Sequence, residues 1–230
     1  MKESMINQEQ QTAWNKIGQK YQINSDQSRK FLKYLQLLLE ENQKYNLTAI
    51  TKVEDVMLDH FDDSLSILQI YDMKNIQVLV DVGSGAGFPG LALAIMLPEV
   101  ACSLIEVNLK KVNFLKLVIE ALGLKNVTVC SDDWRTFLRS GSEKLIKMDP
   151  RLREDEGSEG KVDLVVARAS LHPDELLRMF KPSSALKTAT LVYWASKKWI
   201  PTAQEKEYLE SCVEYGVGQK QRKLCFFKNK

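Results

Sequence analysis

The stretch VDVGSGAGFPG, from Val80 to Gly90, sets four glycines and a proline directly behind the apolar run IQVLV (76–80). A short β-branched run that ends in an acidic residue and opens into glycines reads as a strand feeding a tight turn and then a helix. Such a turn places a ligand at the carboxyl end of a parallel strand, where open α/β sheets bind small molecules. Glycines at 83, 85 and 87 allow positive φ and let a ligand approach the backbone, which a turn alone does not require.

Outward from this point the pattern alternates. IQVLVDV, VACSLIEV, NVTVC, KVDLVVAR and TATLVYWA read as strands, and PGLALAIML, KKVNFLKLVIEAL, DDWRTFLR and HPDELLRMF as the helices between them. Strands separated by helices form βαβ units and a mostly parallel sheet covered on both faces. Gly123 suits the end of one helix and Pro98 the end of another. The last apolar runs, SCVEYGV and KLCFFK, flank polar GQKQR and read as a terminal hairpin. Before the first strand, residues 1–75 read as helical: Phe31, Leu35 and Leu38 repeat at helical spacing behind a cap at Ser25, and Val53, Val56, Met57, Leu65 and Leu68 follow. The expected organisation is therefore a helical region over 1–75 and an α/β domain over 76–230, with an exposed charged loop at 140–160.

Composition limits the function classes. The chain has 230 residues, 44% hydrophobic and 27% charged, with 32 Lys+Arg against 30 Asp+Glu. A net charge of +2 is not that of an indiscriminate nucleic-acid binder. No apolar run is long enough to span a membrane, and no basic-then-apolar leader opens the chain, so a cytoplasmic protein without a membrane partner is expected. Cys102, Cys130, Cys212 and Cys225 lack metal-ligand spacing and are expected to be buried thiols, with no metal bound.

Two registers compete for the glycine turn. Gly85, Gly87 and Gly90 match the dinucleotide fingerprint GxGxxG, which holds a pyrophosphate at a helix N-terminus. Asp81 with Gly83, Gly85 and Gly87 forms an acidic residue followed by GxGxG, the pattern of methyltransferases that bind S-adenosylmethionine. An aspartate repels a pyrophosphate but suits a ligand with an ammonium and a sulfonium, so the second register is preferred. Glu106, at the end of SLIEV, is placed to accept two hydrogen bonds from ribose hydroxyls. Asp132, Asp133 and Trp134 end the next strand, where an adenine edge and face would lie.

VDVGSGAGFPGLALAI, followed by KKVNFL and preceded by YNLTAI and HFDDSL, closely resembles the RsmG (GidB) family, bacterial methyltransferases that modify N7 of one guanine in small-subunit (16S) ribosomal RNA. The resemblance runs from about Asp26 to the C-terminus. It implies a Rossmann-like class I methyltransferase fold with a mostly parallel seven-stranded sheet, an antiparallel last strand and an N-terminal helical region beside the cofactor. It also implies S-adenosylmethionine as cofactor and 16S rRNA, a small subunit or an assembly intermediate as partner, with the protein acting as a monomer. By position, Gly83 and Phe88 are expected cofactor contacts, Asp133 and Trp134 the adenine-side pair, and Arg168 the arginine that ends the fourth strand. Arg168 is the candidate catalytic residue, clamping either the cofactor carboxylate or an RNA phosphate with its planar fork. Lys110, Lys111, Lys197 and Lys198 are candidate phosphate contacts.

Guanine N7 carries an in-plane lone pair and no hydrogen, so its methylation needs no general base. The two histidines, His60 and His172, are accordingly expected to be structural. Two other readings stay open: a methyltransferase on another substrate, and a non-catalytic cofactor-binding module associated with the ribosome.

Overall fold

A computed structural model describes residues 6–139, 162–182, 184 and 186–229. The charged segment at 140–160 lies outside the described residues. Helix α1 (Gln8–Tyr21) and helix α2 (Ser25–Tyr45) open the chain. Each begins with an asparagine and a glutamine three positions on: Asn7 with Gln10 and Asn24 with Gln27 form reciprocal capping boxes. The cap of α2 is therefore Asn24 and not Ser25. Only Asn24 has a glutamine at the third helical position to return the bond.

The segment after α2 is helical but not uniform. An α-turn, Val53–Asp55, widens into a π-helix over Val56–Asp62, returns to α over Asp63–Leu65 and tightens to a 3₁₀ turn over Ser66–Gln69. The π-turns rotate Asp59, His60, Asp62 and Asp63 into the interior alongside Met57 and Phe61. Such wide turns recur at functional sites.

Seven strands follow: β1 (Val78–Val82), β2 (Ala101–Ile105), β3 (Val127–Cys130), β4 (Leu164–Arg168), β5 (Thr190–Ser196), β6 (Leu209–Val217) and β7 (Lys220–Phe227). They lie in the order β3-β2-β1-β4-β5-β7-β6. The first five are parallel; β7 runs antiparallel to β5, and the hairpin partner β6 forms the edge. This agrees with the α/β sheet expected. The order reverses beside β1, whose neighbours are β2 and β4, so the switch point where α/β sheets bind ligands lies at the glycine turn.

Side chains alternate across the sheet with a period of two. Leu79, Leu104, Val166, Val192 and Phe226 face one apolar cluster, with α1, α2 and the helices Gly90–Met96 and Leu109–Leu122 packed over them. Val80, Ile105, Val165, Leu191 and Phe227 face the other, covered by the helical residues 134–139 and 173–180. The N-terminal helices thus share the sheet's core and have none of their own. Trp14, Phe31, Tyr34 and Phe61 lie with ring centroids 5.1–6.0 Å apart, and Phe88 of the glycine turn joins them 5.2 Å from Tyr34. Truncating one such ring costs about 3–5 kcal/mol.

The cysteines divide. Cys102 and Cys130 are buried thiols as expected, but Cys212 and Cys225 are joined by a disulfide across the β6–β7 hairpin. Antiparallel pairing sets the two directly opposite each other, a relation that their separation in sequence does not disclose.

Candidate active site

The glycine turn is built around two carboxylates. Asp81, fully buried, accepts a hydrogen bond from the Gly90 N–H at 2.9 Å, and burial pushes its carboxyl up to about 7. A Cβ at Gly90 would collide with Leu104 and with Asp81 itself, so this glycine lets the helix Gly90–Met96 close onto the strands. Glu106, nearly buried, accepts from the Gly85 N–H at 2.9 Å and the Asn108 N–H at 2.8 Å, tying the turn to the end of β2. Gly83 takes φ +69°, and its N–H and that of Ser84 reach the Ile105 carbonyl.

Two cavities meet over this turn, sharing Gly83, Lys111 and Ala169 in their walls. The first, about 530 Å³, lies toward β2 and β3 and carries Glu106, Asp132, Asp133 and Glu175 against Lys111 and Arg135. Its charged groups are thus four acids and two bases. The second, about 560 Å³, lies between the glycine turn, the N-terminal segment and the end of β5, with Asp59 and Asp63 against Lys111, Arg168 and Arg222. Here two acids meet three bases. Ala169 holds the junction in the left-handed region, φ +51°, where a side chain other than glycine's is strained.

In the first cavity Asp133 caps the following helical turn, accepting from the Thr136 N–H at 3.0 Å and its hydroxyl at 2.7 Å, which hold its carboxyl below the usual range. Trp134 is buried, stacks on Phe137 and donates its indole N–H to the Glu175 carbonyl at 3.1 Å.

The second cavity is organised by Arg168. Its Nη1 donates to the Asp59 carbonyl at 2.7 Å and to Asp63 Oδ2 at 2.8 Å, and its Nη2 approaches His60 Nδ1 at 2.8 Å. Because the guanidinium can only donate, His60 Nδ1 is an acceptor and Nε2 carries the proton, pointing at Thr48 Oγ1 at 3.0 Å. Burial, reinforced by the Arg168 charge, drives the imidazole down to about 3, so it is neutral. His60 also stacks on Phe88, centroids 4.3 Å apart, and the Arg168 guanidinium lies 5.4 Å from the same ring.

Asp63 is the hub. It accepts from Arg168 and from the Tyr215 hydroxyl at 2.7 Å, and lies 3.3 Å from Arg222 Nε; its carbonyl accepts from the Trp194 indole at 2.9 Å. Asp59 pairs with Lys220 at 2.5 Å and Arg222 at 3.4 Å. Asn42 brackets the loop over 46–50, with its Oδ1 and Nδ2 bonded to the Thr48 N–H and carbonyl, and presents Leu47, Thr48 and Ile50 to the cavity.

The structure therefore brings Gly83, Gly85, Phe88, Glu106, Asp133, Trp134, Lys111 and Arg168 to the two cavity walls. It gives two other residues different tasks. Asp81 lines neither cavity and instead anchors the helix start. Gly87 lines neither as well: at φ +101° it makes room for the Tyr34 hydroxyl and Leu91. Lys110, Lys197 and Lys198 are exposed outside both walls. Asp59, Asp63, Tyr193, Trp199 and Arg222 are functional candidates that sequence reasoning missed. HFDDSL was the only signal for any of them, and it named no role. A further groove of about 470 Å³, between α1 and the π-helix, is bridged by the Lys20–Asp62 ion pair and holds no comparable chemistry.

A sequence profile of a family described as rRNA small subunit methyltransferase G (GidB) matches residues 27–225. Proteins named Ribosomal RNA small subunit methyltransferase G are similar along much of the chain. One from Aster yellows witches'-broom phytoplasma is 37% identical over 166 residues, 72% of this chain and 70% of that protein. One from Lachnoclostridium phytofermentans is 35% identical over 191 residues, 83% and 72% of the respective chains. The stretch matched in a relative from Caldanaerobacter subterraneus, 41% identical, spans 52% of that protein. Among solved structures, the METTL16 MTase domain superposes with a TM-score of 0.52 at 15% identity, covering 89% of this chain and 81% of that one. Human methyltransferase 10 domain containing protein gives 0.51 at 15% identity over 90% and 97%. At such identities the structural likeness speaks for the fold alone.

Proposed function

Because the chain belongs to the rRNA small subunit methyltransferase G (GidB) family, we propose that it transfers a methyl group from S-adenosylmethionine to N7 of a guanine in 16S rRNA. The observation that carries this reading is the opposed charge of two cavities that meet at one glycine turn. A cavity with four acids and two bases suits a nucleoside that carries an ammonium and a sulfonium and has no phosphate, and disfavours a dinucleotide. The adjoining cavity, with an excess of bases, suits a segment of RNA backbone.

S-adenosylmethionine supplies an electrophilic methyl on sulfur. The N7 lone pair forms the new N–C bond, the S–C electrons return to sulfur, and the positive charge passes to the purine with no proton released. A base is therefore unnecessary, in keeping with a neutral His60 whose two ring nitrogens are both engaged. What the protein supplies is position and exclusion of water, effects that can reach about 7–11 kcal/mol. Glu106 would hold the ribose hydroxyls, with Asp132, Asp133 and Trp134 around the adenine. The backbone at Gly83, a wall residue of both cavities, would lie against the reacting end at their junction. Arg168, held at the cavity wall by Asp59, His60 and Asp63, would fix the reacting partners, and Tyr193 and Trp199 offer aromatic surface to a base. Lys110, Lys111, Lys197 and Lys198 would hold phosphates nearby. A ribosomal RNA substrate places this work in the cytoplasm.

The test is transfer of labelled methyl from S-adenosylmethionine to small subunits from cells lacking this protein, followed by nucleoside analysis. Label in 7-methylguanosine is expected. Label in another nucleoside refutes the N7 assignment, and cofactor binding with no label in RNA refutes the substrate class.

A further inference from the structure

On the far side of β4 from the Asp63 network, three potential metal ligands converge from two separated segments. His172 caps the start of the helix Pro173–Leu176 through its Nδ1, which accepts from the Asp174 N–H at a long 3.4 Å that a metal would displace; Asp174 lies in the first turn, and Glu205 belongs to the helix Ala203–Tyr208. His172 Nδ1 lies 3.3 Å from Asp174 Oδ2 and 3.7 Å from Glu205 Oε1, and one ligand atom from each residue falls within 4.8 Å of the others. Glu205 is fully buried. Its Oε2 accepts from the Thr202 N–H at 2.6 Å, while Oε1 has no hydrogen-bond donor among the described residues and faces His172. An orphaned carboxylate oxygen in the interior is costly unless a cation meets it.

We propose that His172, Asp174 and Glu205 form a Zn²⁺ site. One imidazole and two carboxylates are a borderline donor set that suits Zn²⁺ better than Mg²⁺, which favours all-oxygen, octahedral surroundings. The two spacings from the imidazole, 3.3 and 3.7 Å, lie near the roughly 3.4 Å that zinc bonds of about 2.0–2.1 Å at a tetrahedral angle impose. Three protein ligands leave a fourth position for water. Thr202 braces the site, its hydroxyl lying 3.5 Å from Asp174 Oδ1 while its N–H holds Glu205. Zinc would staple the helix Ala203–Tyr208 to the turn at 172–176, and the neighbouring Glu175 lines the acidic cavity. The ion would act on the shape of that wall without entering it. The inference is independent of the proposed substrate.

The chain has two histidines, and both nitrogens of His60 are engaged, so imidazole resonances distinguish the outcomes. The experiment titrates the full chain with Zn²⁺ alone, reading stoichiometry by dialysis and metal analysis, the ring nitrogens by NMR, and the melting temperature. One equivalent is expected to bind, to shift the Nδ1 resonance of His172 and to raise the melting temperature. His172→Ala and Glu205→Gln should each weaken binding at least about tenfold. Glu205→Gln keeps an acceptor for the Thr202 N–H and so preserves the cap. Binding unchanged in both variants would assign the ion to thiols or scattered carboxylates and overturn the site. Wild-type imidazole resonances unmoved by zinc would reduce His172 to a helix cap beside two acids and overturn the site.

Discussion

Replacing Asp63 by asparagine tests whether the cavity wall depends on a buried charge. The side chain is 1% exposed and faces Arg168, itself 12% exposed, at 2.8 Å. Removing one member of a buried ion pair costs about 3–5 kcal/mol, because the remaining charge stays desolvated. An amide keeps one oxygen for either Arg168 or the Tyr215 hydroxyl and turns an N–H₂ toward the other, so a loss near the lower bound, about 3 kcal/mol, is expected. For a chain of this size that corresponds to a fall in Tm of about 6–12 °C. Urea unfolding of the wild type, Asp63→Asn, Arg168→Met and the double variant measures both the loss and the coupling. The double variant, with no unpaired arginine, should recover about 1–3 kcal/mol relative to the sum of the singles. A loss below about 1 kcal/mol with additive singles is the behaviour of an exposed pair and would refute the argument.

Gly83→Ala drives a methyl into Ser170 Cβ at positive φ, so it should abolish S-adenosylmethionine binding by calorimetry at a folding cost above the roughly 1–2 kcal/mol of the backbone alone; normal affinity would remove the turn from the cofactor site. Arg168→Lys keeps a charge for Asp63 but loses the fork that also reaches Asp59 and His60, so kcat/KM should fall at least tenfold with a stability loss of about 2 kcal/mol; full activity would make the arginine purely structural. Two buried groups oppose each other in pH dependence. His60, depressed to about 3, lowers stability as pH falls below its unfolded value of about 6.5, whereas Asp81, raised to about 7, lowers stability as pH rises from about 4 to 7. Their contributions cancel between about pH 4 and 6.5. Asp81→Asn should therefore unmask a fall of about 1.4 kcal/mol per pH unit below about 6, and a flat profile in that variant would contradict a neutral His60. RNA affinity should fall steeply with salt, with each of Lys110, Lys111, Lys197 and Lys198 lowering the log-log slope by about one when replaced by alanine; an unchanged slope would place the phosphates elsewhere.

The parts of the molecule that were legible are those coded by neighbours in sequence. The spacing of Gly83, Gly85 and Gly87 behind a strand located the ligand edge, and the alternation of apolar runs gave the βαβ order and the closing hairpin. The roles of Asp59, His60 and Asp63 were hidden because their partners, Arg168, Tyr215, Lys220 and Arg222, come from the other end of the chain. The π-turns were hidden too, since the apolar positions at Val53, Val56 and Met57 fit an α-helix equally well. Asp81 ends a strand, where acids commonly face a ligand; its burial depends on Gly90 admitting the helix, a packing fact that spacing does not carry.

The pairing of Asp59 with Lys220 joins residues 161 positions apart. During synthesis at about 5–20 residues per second, the acidic segment waits roughly 8 to 32 s for the cations that neutralise it. Until β7 is made, Asp59 lacks both Lys220 and Arg222, and Asp63 has Arg168 of β4 as its cationic partner but not yet Arg222. The parallel strands β1–β5, with Arg168 already on β4, precede it in the chain, so the cations that arrive last are those that face Asp59. The charged wall of the second cavity is thus completed only with the final strand.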